Sequence, residues 1–137
     1  VQAGAHLRLG GLDDAVRLLG TRPPEEMPAA FAAADVFCLP SWWEAMPLSI
    51  LEAMATGLPV VATPVGDVPR VVRPYETGLL VPLQDEEALA DALEELLTEP
   101  AKRAEWGRAA RDLVVERHSA ASMAAKIGAL YVASTYK

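Results

Sequence analysis

Short apolar runs alternate with longer amphipathic stretches along the chain. The short runs lie at residues 16–19, 35–39, 58–62 and 78–81. The second run is apolar at nearly every position, which is typical of a strand that is covered on both faces, and the third has the same character. The pattern therefore predicts four short strands.

The longer stretches predict helices. Residues 27–34 form an apolar stretch after two prolines, and residues 47–56 run from a proline to Gly57, a residue that commonly ends helices. Further helices are expected over residues 85–97, 101–115 and 119–132. Asp85 is placed to cap the first of these, which carries its leucines on one stripe.

Strands that alternate with helices indicate an α/β fold built on a parallel, doubly wound sheet. Such sheets bind ligands beyond the carboxyl ends of their strands. The loops after Leu39 and Ala62 are therefore the first places to expect a functional site.

Composition narrows the classes of protein that this chain can represent. With 137 residues, of which 52% are hydrophobic, the chain is long enough for one domain with a real core. A net charge of −7 argues against a nucleic-acid partner, since that needs a basic surface. A single cysteine excludes an internal disulfide and a four-cysteine zinc module.

Neither a membrane span nor a leader peptide is predicted, since no apolar run approaches roughly 18–20 residues and the first residues lack the pattern of a leader. We therefore expect a cytoplasmic protein. Four arginines are expected to be ordinary surface charges, with a peripheral contact to the inner face of a membrane as the alternative. They are Arg103, Arg108, Arg111 and Arg117.

The strongest chemical signal lies in residues 40–63, PSWWEAMPLSILEAMATGLPVVAT. A predicted strand ends in a loop that holds Glu44, and the helix that follows carries Glu52 about one turn inside. At the start of that helix the N–H groups of Leu48, Ser49 and Ile50 are expected to be unpaired and to favour an anion such as a phosphate. The Glu52 carboxylate suits a diol such as ribose, and Glu44 suits a sugar.

This stretch resembles the donor-site signature of the family 4 (group 1) retaining glycosyltransferases of GT-B fold. Their pattern is Pro-Ser-x-x-Glu, seven residues, and then Glu-Ala-Met-Ala-x-Gly-x-Pro-Val-Val-Ala-Thr. The matching residues are Pro40, Ser41, Glu44, Glu52, Ala53, Met54, Ala55, Gly57, Pro59, Val60, Val61, Ala62 and Thr63. The flanking sequence is also similar, so that the resemblance runs from about Leu12 to the end of the chain.

The resemblance implies a role for each matching position. Glu44 becomes the catalytic residue that contacts the donor sugar, and Glu52 becomes the contact to the nucleotide ribose. Beside the diphosphate lie Met46, Pro47, Leu48 and Ser49. Near the nucleobase lie Gly20, Thr21 and Arg22, and at the mouth of the site lie Gly66 and Asp67. The resemblance implies no cofactor, because the nucleotide-sugar is itself a substrate. It also implies no metal.

The resemblance also implies what the longer enzyme does. Residues 1–137 are expected to be part of the C-terminal, Rossmann-like donor domain, and the full enzyme is expected to transfer a sugar from a nucleotide-sugar to a hydroxyl acceptor with retention of configuration. We expect the first strands of this domain, with their phosphate-neutralising Arg and Lys, and the acceptor-binding N-terminal domain to be missing. The isolated chain should then bind donor weakly, catalyse no transfer and self-associate to cover its exposed edges.

Two loops depart from the family pattern. Ala45 and Met46 replace a frequent Gly-Phe pair, which is expected to be a mild change. Residues 66–70 have the sequence Gly-Asp-Val-Pro-Arg where the family usually has Gly-Gly-x-Pro-Glu. The second replacement is expected to remove a left-handed backbone position at Asp67 and to reverse a charge at Arg70.

Two other functions stay open at this point. A nucleotide-sugar epimerase of the same GT-B architecture would need further acid–base groups in the site. A non-catalytic module that binds a nucleotide-sugar or a protein partner would need no catalytic group. Trp42 and Trp43 are expected to pack within their loop, with a sugar-facing role as the alternative.

Overall fold

A computed structural model describes residue 12 and residues 14–135. Residues 1–11, on which the prediction of no leader peptide rests, lie outside the described residues.

A parallel sheet of three strands forms the centre of the described fold. The strands are β1 (Phe37–Leu39), β2 (Val60–Ala62) and β3 (Gly78–Leu80), and they lie side by side in chain order. Phe37 pairs with Val60, and Val60 pairs in turn with Gly78. This register brings the carboxyl ends of all three strands to one edge of the sheet.

Six α-helices and one short 3₁₀ helix connect and cover these strands within the described residues. The 3₁₀ helix Pro24–Glu26 leads directly into α1. The helices are α1 (Met27–Ala32), α2 (Leu48–Ala55), α3 (Val68–Val71), α4 (Glu86–Thr98), α5 (Pro100–His118) and α6 (Ala120–Thr135).

Both faces of the sheet are covered. Val60 and Ala62 point into a core that contains α2, α3 and α5, with Ile50 and Met54 of α2 fully buried. Val61, between them, points to the other face and packs with buried residues of α4 and β3. The alternation of side chains along β2 thus produces two cores, which confirms the prediction of a helix-flanked parallel sheet.

The predicted strand over residues 16–19 is wrong, because this segment forms no strand in the structure. Val16, Leu18 and Leu19 are 39%, 65% and 47% exposed. Their apolar character suited a strand, but strand structure also requires a neighbouring strand to pair with. Helix α3 was not predicted, since it is only four residues long. Within the described part of the chain, no helix has the length and apolar character needed to cross a bilayer.

Candidate functional site

The Glu44 carboxylate is held at the carboxyl edge of the sheet by two linked hydrogen bonds. Leu39 pairs with Ala62, so that β1 and β2 end next to each other. The hydroxyl of Thr63, directly after β2, donates to the carbonyl of Ser41. The hydroxyl of Ser41 donates to Oε1 of Glu44 over 2.8 Å. The sheet therefore fixes a carboxylate in a loop.

Residues 40–47, between β1 and α2, form the Glu44 loop. The loop after β2 lies against its backbone. The amide of Asp67 donates to the carbonyl of Ala45 over 2.7 Å. Gly66 has a φ of +54°, and a Cβ added there would lie 2.1 Å from the carbonyl oxygen of Glu44. This close approach is possible only without a side chain. Gly66 and Asp67, predicted at the mouth of the site, thus support the Glu44 loop.

The two replacements in this loop fit together. Asp67 has a φ of −91°, an ordinary value, so the expected loss of a left-handed position has no cost here. The Arg70 guanidinium lies 3.2 Å from the Asp67 carboxylate, so the added positive charge is paired with the added negative one. The left-handed conformation is therefore absent at position 67, as expected, and the charge reversal at Arg70 is neutralised within the loop.

Helix α2 begins directly after the Glu44 loop and has no side-chain cap. Its N-cap residue is Pro47, which is extended and buried. Leu48 is exposed and Ser49 half-buried. The amide of Ile50 donates to the carbonyl of Pro47 over 3.2 Å, so the prediction of an unpaired N–H at Ile50 is wrong. Leu48 and Ser49 remain the candidate phosphate contacts.

Glu52 lines a cleft of about 210 Å³ between α2 and the segment that contains the 3₁₀ helix and α1. The other lining residues are Pro24, Met27, Pro28, Phe31, Ala55 and Thr56. The Glu52 side chain is exposed. The cleft is apolar apart from Glu52 and Thr56, and so it offers a carboxylate beside a surface that a flat ring can cover.

Gly20, Thr21 and Arg22 lie close in sequence to this cleft but are not among its lining residues. All three are exposed, and Arg22 pairs with Glu26 at 3.5 Å. They lead into Pro24, which does line the cleft. The segment predicted to contact the nucleobase therefore adjoins the Glu52 cleft in sequence and contributes no lining residue to it.

A second cleft, of about 260 Å³, opens where the three strands end. Pro40, Thr63 and Val81 line it, each from the end of a different strand, together with Trp42. Trp42 and Trp43 are 71% and 81% exposed, so the expectation that they pack within their loop is wrong.

Sequence reasoning did not identify Ser41 and Thr63 as residues that hold Glu44. Both stood in the family pattern, but their contact joins positions that are 22 residues apart in the chain. The strand register supplies the signal: Thr63 directly follows the partner of Leu39, and Ser41 is two residues beyond Leu39. Residues that follow paired strand ends are therefore the ones to examine.

Two of the four arginines serve the fold itself. Arg103 donates to the carbonyls of Leu96 and Leu97 at the end of α4. Arg111 donates to the carbonyl of Ala55 at the end of α2, over 2.7 Å. Arg111 is exposed and Arg103 half-buried, so both lie at the surface as predicted, and their side chains in addition complete helix ends.

Comparison with known proteins places these features in a family. Residues 6–113 match the model of the family described as Glycosyl transferases group 1. A relative from Corynebacterium aurimucosum, called D-inositol 3-phosphate glycosyltransferase, is 44% identical over 102 residues, which cover 74% of this chain and 24% of the relative. The chain thus spans about a quarter of that protein's length.

Solved structures agree in fold. Sucrose-phosphate synthase from Thermosynechococcus elongatus superposes with a TM-score of 0.84 at 38% identity, over 90% of this chain and 31% of that one. The C-terminal domain of a glycosyl transferase group 1 family protein (LpcC) from Francisella tularensis superposes with a TM-score of 0.74 at 30% identity. That match covers 80% of this chain and 57% of the LpcC domain.

Proposed function

Because the chain belongs to the family Glycosyl transferases group 1, we propose that it forms part of a C-terminal donor-binding domain in a retaining glycosyltransferase. The enzyme would move a sugar from a nucleotide-sugar to a hydroxyl acceptor. The observation that carries this proposal is the Glu44 carboxylate, which is held in place directly before the uncapped N-terminus of α2. The similarity to the LpcC C-terminal domain supports the assignment of the domain.

Glu44 is proposed to contact the donor sugar. A carboxylate accepts hydrogen bonds from sugar hydroxyls. Its negative charge also stabilises the positive charge that develops on the sugar when the bond to the diphosphate breaks. A carboxylate that is already oriented loses no freedom when the donor arrives. The hydrogen bond from Ser41 supplies that orientation.

The nucleotide is proposed to lie along α2. The amides of Leu48 and Ser49 face the diphosphate, while Met46 and Pro47 shape the turn before them. Glu52, in its cleft, accepts hydrogen bonds from the two ribose hydroxyls, and Gly20, Thr21 and Arg22 lie by the nucleobase.

Electrostatics limit what this chain can do alone. The end of a helix contributes about 0.5–2 kcal/mol to the binding of an anion. A nucleotide diphosphate brings about two negative charges to a chain whose net charge is −7. We therefore propose that the longer enzyme adds cationic groups and an acceptor-binding N-terminal domain, and that the isolated chain binds donor in the millimolar range without turnover.

Binding to the chain tests the two carboxylates separately. Amide NMR shifts would be followed while UDP, UDP-glucose, GDP-mannose and ADP-glucose are added. Glu52→Gln should weaken the bare nucleotide and its sugar conjugate equally, by about tenfold, because the ribose is common to both. Glu44→Gln should weaken only the sugar conjugate.

The control is Glu105→Gln, an exposed glutamate of α5, which should bind like the wild type. If no probe shifts the amides of Leu48 and Ser49, or if both glutamate variants behave like the control, the proposal fails. EDTA should leave the titrations unchanged, since no metal is proposed. Turnover by the full-length protein, lost in Glu44→Gln, would separate a transferase from a non-catalytic binding module.

A further inference from the structure

We propose that Ser41 is a positioning residue for Glu44 and that Thr63 fixes Ser41 in turn. This inference rests on the proposed function, because it assigns to Glu44 a contact with the donor sugar. It concerns two hydroxyl groups that would themselves touch no substrate.

The first step is that the segment between Ser41 and Glu44 is not anchored by burial of its own side chains. Trp42 and Trp43, which lie between Ser41 and Glu44, are 71% and 81% exposed. Two large apolar residues in the loop thus contribute little contact with the core. Met46, later in the same loop, packs against the core, but the segment from Ser41 to Glu44 depends on polar contacts for its position.

The second step is that those polar contacts lead back to the sheet. Thr63 is only 3% exposed and directly follows β2, so the position of its hydroxyl is fixed by the sheet. It donates to the carbonyl of Ser41, and the hydroxyl of Ser41 donates to Oε1 of Glu44 over 2.8 Å. The carboxylate is thereby tied to the end of β2 through two hydrogen bonds.

The third step is that the backbone of Glu44 and its carboxylate are held by different contacts. Gly66 and Asp67 hold the backbone of residues 44 and 45 through contacts that do not involve the Ser41 hydroxyl. Loss of the Ser41 hydroxyl would therefore leave the loop in place but release the carboxylate, which has three side-chain torsions to rotate about. The contact with the sugar should suffer, and the contacts with the nucleotide should not.

The test compares the dissociation constants of UDP and UDP-glucose for the 137-residue chain. If another nucleotide-sugar and its nucleoside diphosphate bind more tightly, that pair replaces UDP-glucose and UDP. We expect Ser41→Ala to lower the ratio Kd(UDP)/Kd(UDP-glucose) about three- to tenfold while Kd(UDP) stays within twofold. Ser41→Thr keeps the hydroxyl and should restore the ratio. Thr63→Val should lower it, and Thr63→Ser should not.

Ser122→Ala is the matched control, since the hydroxyl of Ser122, at the start of α6, donates to the backbone carbonyl of Arg117 at the end of α5. It should leave both constants unchanged. If Glu44→Gln lowers the ratio and Ser41→Ala does not, the positioning role is overturned and the proposed function stands. If Glu44→Gln leaves the ratio unchanged, the proposed function fails.

A second measurement needs no ligand. In a double-mutant cycle of Ser41→Ala and Glu44→Ala, we expect the unfolding equilibrium constants to show a coupling of about 3- to 30-fold. Strictly additive effects would show that the two side chains do not interact, and would overturn the inference even if no nucleotide binds. Coupling that Ser41→Thr preserves would support it.

Discussion

Gly66 sets the position of the Glu44 backbone without any side chain of its own. A Cβ at this position would meet the carbonyl oxygens of both Glu44 and Ala45, at 2.1 and 2.5 Å. Because the obstacles are backbone atoms of the site loop, they cannot rotate away as a side chain can. The loop after β2 and the loop after β1 therefore have to move together.

Gly66→Ala should lower the free energy of unfolding by about 2–4 kcal/mol, through a left-handed φ and a backbone clash. Urea denaturation measures this. Gly20→Ala is the control for the φ alone, since Gly20 has a φ of +69° and nothing within 4 Å of an added Cβ. It should cost only about 1–2 kcal/mol. Equal losses in the two variants would show that the clash has no energetic effect.

The sequence was sufficient to select Glu44 and Glu52 as candidate site residues, because a family pattern places each of them in the linear chain. It was not sufficient to identify the support of Glu44. The bond between Thr63 and Ser41 spans 22 positions and depends on which strands become neighbours. A contact of that kind exists only after the sheet has formed, and no local propensity encodes it.

Helices whose sequence has a capping residue at the start and a helix-breaking residue after the end were predicted well. Helix α4 is an example: Oδ1 of Asp85 accepts from the amide of Ala88 over 2.9 Å, as its sequence indicated. The segment 16–19 was predicted as a strand from apolar character alone, and its prediction is wrong. Pairing decides whether an apolar run becomes a strand, and pairing is a property of the assembled fold.

His118 ends α5, where the chain turns into α6. Burial lowers the pKa of its imidazole, and the positive charges of Lys126 and Arg117 lower it further. Lys126 reaches this junction directly, since its ammonium group donates to the carbonyl of Arg117 over 2.8 Å. The junction thus disfavours a third positive charge.

The α5–α6 junction should lose stability as the pH falls. A histidine with a lowered folded-state pKa takes up its proton more readily in the unfolded state. The loss should begin near the ordinary value of 6.5 and level off below the folded-state pKa. An NMR titration of His118, with His118→Gln to assign its signals, should give a midpoint below 6.5.

Urea denaturation at pH 7.5 and pH 5 completes this test. The wild type should lose more stability between the two pH values than His118→Gln, because other titrating groups are common to both proteins. A midpoint above the ordinary value, or the same pH dependence in both proteins, would contradict the expectation.

The described surface has an apolar region large enough to influence how chains associate. Met123, Ile127 and Leu130 of α6 line a groove of about 430 Å³ together with Leu48 and Leu51 of α2. Ile127 and Leu130 are 47% and 70% exposed. In addition, β1 and β3 are the outer strands of the described sheet. Exposed apolar surface and open strand edges both favour contact between copies.

We therefore predict that the isolated chain self-associates. Light scattering at rising concentration should give a mass that increases above the 14.6 kDa of one chain. Leu130→Lys should lower that mass if the groove takes part, whereas Val115→Lys, at a position on α5 that is 55% exposed, serves as the control. A constant mass of one chain over the whole concentration range would contradict the prediction.

A pair of glycines holds α5 against the turn between α2 and β2. A Cβ added at Gly107 would lie 2.0 Å from the carbonyl oxygen of Gly57, so main chain meets main chain there. The spacing between the two segments is thus set by bond geometry instead of side-chain volume. For protein engineering, this means that a redesign of the loops around α2 keeps the distance between α2 and α5 only if Gly57 and Gly107 stay glycine, in addition to Gly66.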